Sequence, residues 1–170
     1  MASVEEEIGR LIRQYQAKTG KVLTVGTVES ATGGRIADRI TDVPGSSDYF
    51  KGSVVAYSNE VKIAVVRVKK ATIDKYGAVS EQTAREMAQG GRRLLKVDIC
   101  ISDTGIAGPS GGSPEKPVGL FYLGLAAEDA CLCQKHTFSG SREENKRAAT
   151  GVALDMLRQY LVKLISKRGG

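Results

Sequence analysis

The sequence has few aromatic residues and no tryptophan. Phe, Trp and Tyr together account for 5% of its 170 residues. Proteins that bind single-stranded nucleic acid without sequence preference stack the bases on exposed aromatic side chains. The composition therefore argues against a single-strand binding protein.

Long apolar segments are also absent. A helix needs about 20 consecutive apolar residues to cross a bilayer, and no stretch of this sequence reaches that length. The N-terminus lacks the basic start and the apolar stretch of a secretory signal peptide. We therefore expect a cytoplasmic protein that has no membrane partner.

Cysteine and histidine are too sparse to indicate a metal site. The chain has three Cys and one His, and an odd number of Cys argues against a secreted disulfide scaffold. Cys131, Cys133 and His136 lie close together in the sequence, but no second pair of ligands accompanies them. Because residues two apart share one face of a strand, Cys131 and Cys133 are predicted to be small core residues. We expect neither a metal nor another cofactor.

The charge of the chain is basic but dispersed. Lys and Arg number 25 against 19 Asp and Glu, which gives a net charge of +6. This excess permits phosphates, nucleotides, nucleic acid or an anionic membrane as partners. No predicted helix carries a dense basic stripe, however, and no nucleic-acid recognition motif is present. We interpret most of this charge as solvated surface and expect no nucleic-acid partner, while a phosphate in a small ligand needs only one or two cations.

The hydrophobic pattern predicts a single α/β domain over residues 1–170. Ile8, Leu11, Ile12 and Tyr15 form one face of an amphipathic helix at 3–18. Further helices are predicted after Gly34, from Ser46, after Ser58, and at about 71–76, 81–96 and 141–167, and strands at about 22–28, 53–57, 97–102, 118–127 and 131–138. This order, with a hairpin near its end, predicts a three-layer α/β/α domain whose mixed sheet is partly parallel.

Three glycine-containing loops, 29–34, 44–47 and 104–112, are predicted to follow the ends of strands. Open α/β sheets bind ligands at the carboxyl ends of their strands. Gly33 and Gly34 precede a helix, where free backbone N–H groups can meet an anion or a developing oxyanion. None of the loops has the Walker spacing or the dinucleotide fingerprint. Each alone fits a tight turn, whereas the set favours a binding cleft.

Nucleophilic catalysis is the chemistry that the polar residues suggest. With one His in the chain, a Ser-His-Asp triad has little support. A pair of Ser47, or its neighbour Ser46, with Lys62 is the alternative, since a desolvated lysine has a lowered pKa and can accept a serine proton. Asp42 and Glu60 are candidates for carboxylate acid–base work. The spacing alone leaves Lys62 equally consistent with a solvated helix residue.

Six motifs in order resemble the CinA carboxy-terminal domain family over residues of about 5 to 163. The motifs are Glu29-Ser30-Ala31-Thr32-Gly33-Gly34, Ile40-Thr41-Asp42-Val43-Pro44-Gly45-Ser46-Ser47, Tyr57-Ser58-Asn59-Glu60-Val61-Lys62, Gly77-Ala78-Val79-Ser80-Glu81, Thr104-Gly105-Ile106-Ala107-Gly108-Pro109 with Gly111-Gly112, and Lys116-Pro117-Val118-Gly119. The chain looks like a stand-alone form of this domain. It departs from many members in carrying Ala31 where they have Cys.

The resemblance implies an enzyme of pyridine nucleotide salvage. The family's characterised activity is hydrolysis of the carboxamide of nicotinamide mononucleotide to nicotinate mononucleotide and ammonia. The resemblance also implies a Ser–Lys amidohydrolase mechanism with a covalent acyl-enzyme, no metal or cofactor, and assembly as a homo-oligomer. The alternative is a nucleotide-binding or regulatory module that keeps the fold without turnover.

Carried onto this sequence, the resemblance assigns Ser47 as the nucleophile, Lys62 as the base and Tyr57 as their hydrogen-bonding partner. Arg142, just before the last helix, becomes the candidate for binding phosphate, although a solvated charge would explain it equally well. The residues expected to contact the nucleotide are Ser30, Thr32, Gly33, Gly34, Ser46, Thr104, Gly105 and Arg142.

Overall fold

The computed structural model describes residues 1–169 and consists of one sheet with helices on both faces. The helices are α1 (Val4–Thr19), α2 (Arg35–Thr41), α3 (Asn59–Ala64), α4 (Lys70–Tyr76), α5 (Glu81–Leu95) and α6 (Arg142–Lys167), with a 3-10 turn at Ser46–Asp48. The strands are β1 (Val25–Glu29), β2 (Phe50–Val55), β3 (Ile99–Gly105), β4 (Leu120–Ala126) and β5 (Cys131–Thr137).

The sheet is mixed and has the strand order β2-β1-β3-β4-β5. The central strand β1 pairs in parallel with both β2 and β3. The pairs β3–β4 and β4–β5 are antiparallel, and β4 and β5 form the predicted hairpin. The three-layer α/β fold with a partly parallel sheet is therefore confirmed.

Two apolar cores lie on the two faces of the sheet. Strand β3 shows the division, because Ile99 and Ile101 belong to the core shared with α1, α2 and α6, whereas Cys100 belongs to the opposite core. That second core includes Met87 of α5 and Ile73 of α4. Successive side chains of a strand point to opposite faces, so a strand buried on both sides reads as a continuous apolar run.

Local capping fixes where several helices begin. The Ser3 and Ser141 side chains each accept a hydrogen bond from the third backbone N–H of their helix, and a glutamate returns the bond to complete a capping box. The Ser80 hydroxyl likewise accepts from the Thr83 N–H at the start of α5. Gly20 ends α1 with a left-handed φ of 76°. These signals explain why the helix starts were predictable.

Two strand boundaries that bear on the site differ from the prediction. Strand β3 continues to Gly105, which pairs with Phe121, so Asp103, Thr104 and Gly105 belong to a strand and not to a loop. Strand β2 begins at Phe50, which pairs with Val25. Consequently loop 44–47 precedes β2 and lies at the amino end of the parallel strands, away from the edge where such sheets bind ligands.

The cysteines of the hairpin only partly fit the predicted core role. Cys131 and Cys133 lie on β5, an edge strand, and are half-buried, whereas Cys100 is fully buried. An edge strand has a neighbour on one side only, which leaves its side chains less covered.

Over residues 1–169 no helix is long and apolar enough to cross a bilayer.

Candidate active site

A cavity of about 270 Å³ opens at the carboxyl ends of β1 and β3. Its wall is formed by Ser30, Ala31, Tyr57, Asn59, Lys62, Ala78, Val79, Thr104, Gly105, Ile106, Ala107, Gly108, Ser110, Gly111 and Arg142. The segments that follow β1, β2 and β3 all contribute to it. Neighbouring parallel strands end at the same edge of the sheet, which explains how residues distant in sequence converge here.

Lys62 is the most unusual side chain in this wall. It lies on α3, only 2% of its surface is exposed, and its Nζ lies 2.9 Å from the Ser30 Oγ and 3.1 Å from the Tyr57 carbonyl oxygen. Burial lowers the pKa of Lys62, and the charge of Asp103 opposes part of this shift. A lysine with a lowered pKa in contact with a serine hydroxyl is equipped to take up the serine proton.

The structure does not bring Ser47 and Lys62 together, contrary to the predicted pairing. Ser46 and Ser47 lie in the 3-10 turn before β2, and neither lines the cavity. The end of that turn meets the beginning of β1, where the Val25 N–H donates to the Tyr49 carbonyl over 2.8 Å. Lys62 follows the other end of β2, whose six residues span roughly 20 Å. The hydroxyl that contacts the lysine is that of Ser30, which the sequence had assigned to substrate binding.

Ser30 is fixed by a buried carboxyl group beneath the cavity. The Ser30 N–H donates to Asp103 Oδ1 over 2.9 Å, and the Thr32 N–H donates to Asp103 Oδ2 over 3.1 Å. Asp103 is completely buried, and burial together with the charge of Glu29 raises the pKa of Asp103 to about 6. The backbone on both sides of Ala31 is therefore held by one side chain.

The Ala31 N–H lies between these two tethered amides. Among residues 1–169 the structure gives it no hydrogen-bond acceptor, and Ala31 lines the cavity. In many hydrolases the N–H of the residue after the nucleophile contributes to the oxyanion hole. Ala31 thus supplies a backbone N–H whose role does not depend on the side chain at this position.

Thr32, Gly33 and Gly34 lie outside the cavity wall, contrary to the expectation that they contact the nucleotide. Gly33 and Gly34 have left-handed φ angles of 64° and 104°, which turn the chain from β1 into α2. The Gly33 N–H donates to the Ser30 carbonyl, and the Gly34 N–H donates to the Glu29 carboxylate. These glycines therefore shape the turn that carries Ser30.

Tyr57 and Arg142 meet at the mouth of the cavity. Arg142, the first residue of α6, donates from Nη2 to the Tyr57 hydroxyl over 3.1 Å and from Nη1 to the Gly108 carbonyl over 2.8 Å. Thr104 and Gly105 also line the wall, and the Thr104 hydroxyl donates to the Ala78 carbonyl. Arg142 is exposed to solvent, and these two hydrogen bonds hold its guanidinium at the rim of the cavity.

Two buried carboxyl groups were missed by the sequence prediction. Glu29 and Asp103 both follow apolar strand residues and directly precede cavity residues. A charged residue at the carboxyl end of an apolar run, repeated at two strands, was the available signal. For metal binding, residues 1–169 contain no cluster of three His, Cys, Asp or Glu side chains.

Comparison with known proteins shows relatives along almost the whole chain. Residues 3–161 match the CinA C-terminal domain family. A protein of Halothermothrix orenii named for competence-damage induction is 52% identical over 94% of this chain and 37% of its own length. The CinA-like protein of Desulforapulum autotrophicum is 47% identical over the same shares. The chain therefore spans less than two-fifths of these curated relatives.

A solved structure supports the fold assignment independently. The crystal structure of the competence/damage inducible protein CihA from Agrobacterium tumefaciens is 37% identical and superposes with a TM-score of 0.84. The superposition covers 92% of this chain and 94% of that one. The sheet and the helices that form the cavity are thus shared with an experimentally determined relative.

Proposed function

Because this chain belongs to the CinA C-terminal domain family, we propose that it hydrolyses the carboxamide of nicotinamide mononucleotide to nicotinate mononucleotide and ammonia. The observation that carries the proposal is the 2.9 Å contact between the buried Lys62 Nζ and the Ser30 Oγ in the wall of the cavity. A buried amine beside a serine hydroxyl is one of the nucleophile–base pairs that hydrolyse amides through a covalent intermediate.

Ser30 replaces Ser47 as the nucleophile in this proposal. Neutral Lys62 accepts the proton of Ser30 while Oγ forms a bond to the carboxamide carbon. The lysine ammonium then returns this proton to the amino group as the C–N bond breaks and ammonia leaves. Water then attacks the resulting ester while Lys62 accepts a proton from it. The lysine ammonium returns that proton to the Ser30 Oγ as the ester C–O bond breaks, and the acid product leaves and ionises to the carboxylate.

The oxyanion of the tetrahedral intermediates needs a donor close to Ser30. The Ala31 N–H fulfils this requirement, because its two neighbouring amides are bonded to Asp103 and it has no acceptor among residues 1–169. A preorganised donor of this kind stabilises the negative charge that develops on the carbonyl oxygen.

The nucleotide phosphate has a candidate partner at the rim. Arg142 is fixed there by Gly108 and Tyr57, with its guanidinium in the cavity wall. Arginine binds phosphate through charge-assisted hydrogen bonds of defined direction. Arg142 would therefore favour a nucleotide over the corresponding nucleoside.

The test is ammonia release from nicotinamide mononucleotide, with nicotinamide riboside and nicotinamide as controls. We expect turnover of the nucleotide and much slower turnover of both controls, because only the nucleotide carries phosphate. Equal rates on all three would contradict phosphate recognition. Binding of the nucleotide without ammonia release would favour the non-catalytic nucleotide-binding module instead.

A further inference from the structure

Three fully buried polar side chains lie directly beneath Ser30 and outside the cavity wall. Glu29, Thr32 and Asp103 each have 0% exposure. They come from β1, from the turn after it and from β3. Burying two carboxyl groups side by side is costly unless their charge is neutralised or bonded. Such a cluster next to the proposed nucleophile calls for a physical explanation.

The number of protons available to the cluster is the first clue. The Thr32 Oγ1 lies within hydrogen-bond distance of Asp103 Oδ1 and, at 2.8 Å, of Glu29 Oε1. A hydroxyl group has one proton and can donate to only one of these two oxygens. The second contact is a hydrogen bond only if a carboxyl group supplies a proton to Thr32. Glu29, Asp103 and the Thr32 hydroxyl therefore hold one proton more than they would if both carboxyl groups were ionised.

The bonds around the two carboxyl groups indicate which one carries it. Glu29 accepts from three backbone N–H groups, those of Gly34, Ile36 and Ala37, a set of donors that stabilises the ionised form. Asp103 accepts from two backbone amides and is more dependent on Thr32. The pKa of Asp103, raised to about 6, agrees with a protonated group at mildly acidic pH.

We propose that Asp103 is a positioning residue for Ser30 and acts as one half of a proton-sharing pair with Glu29, bridged by the Thr32 hydroxyl. In this pair Asp103 donates its proton to Thr32, and Thr32 donates to Glu29. The assignment of Asp103 to Ser30 chemistry rests on the proposed function, whereas the shared proton does not.

The pair acts on catalysis by holding the backbone that carries the reacting groups. Asp103 binds the amides of Ser30 and Thr32, so it sets the direction of the Ala31 N–H between them and the position of the Ser30 Oγ. Two ionisable groups influence Asp103, Glu29 of β1 and Lys62 of α3. An ionised Asp103 raises the pKa of Lys62, so the ionisations of the two groups are coupled.

Substitutions at Thr32 test the bridge without touching the substrate. Thr32→Val keeps the shape but removes the hydroxyl, and Thr32→Ser restores it. We expect Thr32→Val to lower kcat about tenfold or more while KM changes less than about twofold, because only the transition-state geometry is disturbed. Thr32→Ser should stay near the parent rate. A parent-like kcat in Thr32→Val would overturn the positioning role.

An NMR titration of the unmodified protein tests whether Asp103 carries the shared proton, and folding defects in the variants do not affect this test. The 13C resonance of the Asp103 carboxyl, assigned with Asp103→Asn, is followed as the pH is raised. We expect a neutral carboxyl at pH 5, where an ordinary Asp with a pKa of about 3.9 is ionised. An Asp103 that is fully ionised at pH 5 would overturn the proton-sharing pair.

Amide exchange separates this inference from the identity of the substrate. The Ser30 amide proton should exchange with solvent about tenfold faster in Thr32→Val than in Thr32→Ser, because local opening of the turn becomes easier. Equal exchange in the two variants would overturn the positioning role even in an active enzyme. Faster exchange in a protein that hydrolyses no nicotinamide nucleotide would sustain the positioning of Ser30 while refuting the proposed substrate.

Discussion

The Lys62 side chain shows how burial prepares an amine for proton transfer. With 2% exposure it has lost nearly all contact with water, and its pKa is lowered mainly by this desolvation. The charged form loses more from burial than the neutral form does. The residue can therefore be neutral at a pH where a surface lysine, with a pKa of about 10.4, is protonated.

We predict that kcat/KM rises with pH through an ionisation below the ordinary lysine value. The rise follows loss of a proton, because only the neutral amine accepts the proton of Ser30. Lys62→Arg should be nearly inactive, since arginine stays protonated. A pH–rate series of the parent, Lys62→Arg and the exposed control Lys70→Arg checks this. Substantial activity in Lys62→Arg would leave the lysine with an electrostatic role only.

The two candidate serines can be compared directly by substitution. We predict that Ser30→Ala loses ammonia release by about a thousandfold or more, because it removes the proposed nucleophile. Ser47→Ala, at the opposite end of β2, should keep the parent rate. Circular dichroism controls for folding. An inactive Ser47→Ala beside an active Ser30→Ala would return the nucleophile to Ser47.

Arg142 offers a prediction about substrate affinity. Arg142→Ala should raise KM for nicotinamide mononucleotide about tenfold or more, since a hydrogen bond to a charged group contributes about 1.5–3 kcal/mol. The riboside, without phosphate, should be affected much less. Arg147→Ala is the matched control, because Arg147 lies on the same helix but pairs with Glu143 outside the cavity. Equal effects of the two substitutions on KM would argue against a phosphate contact.

At the scale of helices and strands, periodicity and capping residues were sufficient for most of the fold. The helices begin after Ser3, Ser58, Ser80 and Ser141, whose hydroxyl groups accept helix N–H bonds as their positions in the sequence predict. These are local signals, which a single sequence contains in full. The mixed sheet followed from the order of the elements.

The site was predicted less completely because it depends on which end of a strand a residue occupies. Ser30 and Ser47 both lie near glycines and polar residues, and only the pairing of β1 with β2 separates them to opposite edges. Asp103 lies beyond the predicted end of the strand at about 97–102, yet it pairs with Leu123 inside the sheet. Non-local pairing of this kind leaves little trace in local composition.

Helix α5 packs so closely against the segment between α3 and α4 that glycine is required at position 90. A Cβ on Gly90 would lie 2.0 Å from the Val66 carbonyl oxygen, which is backbone and cannot easily move. We predict that Gly90→Ala lowers the free energy of unfolding by about 1–3 kcal/mol.

Gly151 on α6 is the matched control, since a Cβ there would meet only the Arg39 guanidinium at 4.0 Å. Gly151→Ala should raise the free energy of unfolding by up to about 1 kcal/mol through helix propensity. Urea unfolding of both variants measures the difference. A stabilised Gly90→Ala would mean that α5 can shift away from Val66 in the segment between α3 and α4.

For the molecule as a whole, the buried Asp103 makes stability depend on pH. Its pKa is about 6 in the folded protein and near 3.8 when exposed, so the folded state binds the proton more tightly. This contribution to stability is complete below pH 4 and is lost as the pH rises through about 6. Asparagine has no ionisable side chain, so Asp103→Asn does not lose this stability as the pH rises.

We therefore predict that the stability of the parent falls relative to Asp103→Asn between pH 4 and pH 7. The change should approach about 3 kcal/mol, from the shift in pKa between the two states. Urea unfolding of both proteins across this range isolates the effect, because all other titrating groups are shared. A constant difference between the two curves would contradict the raised pKa of Asp103.

The cavity wall is assembled from segments that are far apart along the chain. Ser30 and Arg142 are separated by more than half of its length, and the parallel pairing of β1 with β2 and β3 brings the intervening residues together. Parallel pairing requires long loops to close before the stabilising contacts between the strands form, so such a sheet folds slowly. Recovery of activity during refolding should consequently coincide with the last long-range step, and no fragment that lacks α6 would contain the complete wall.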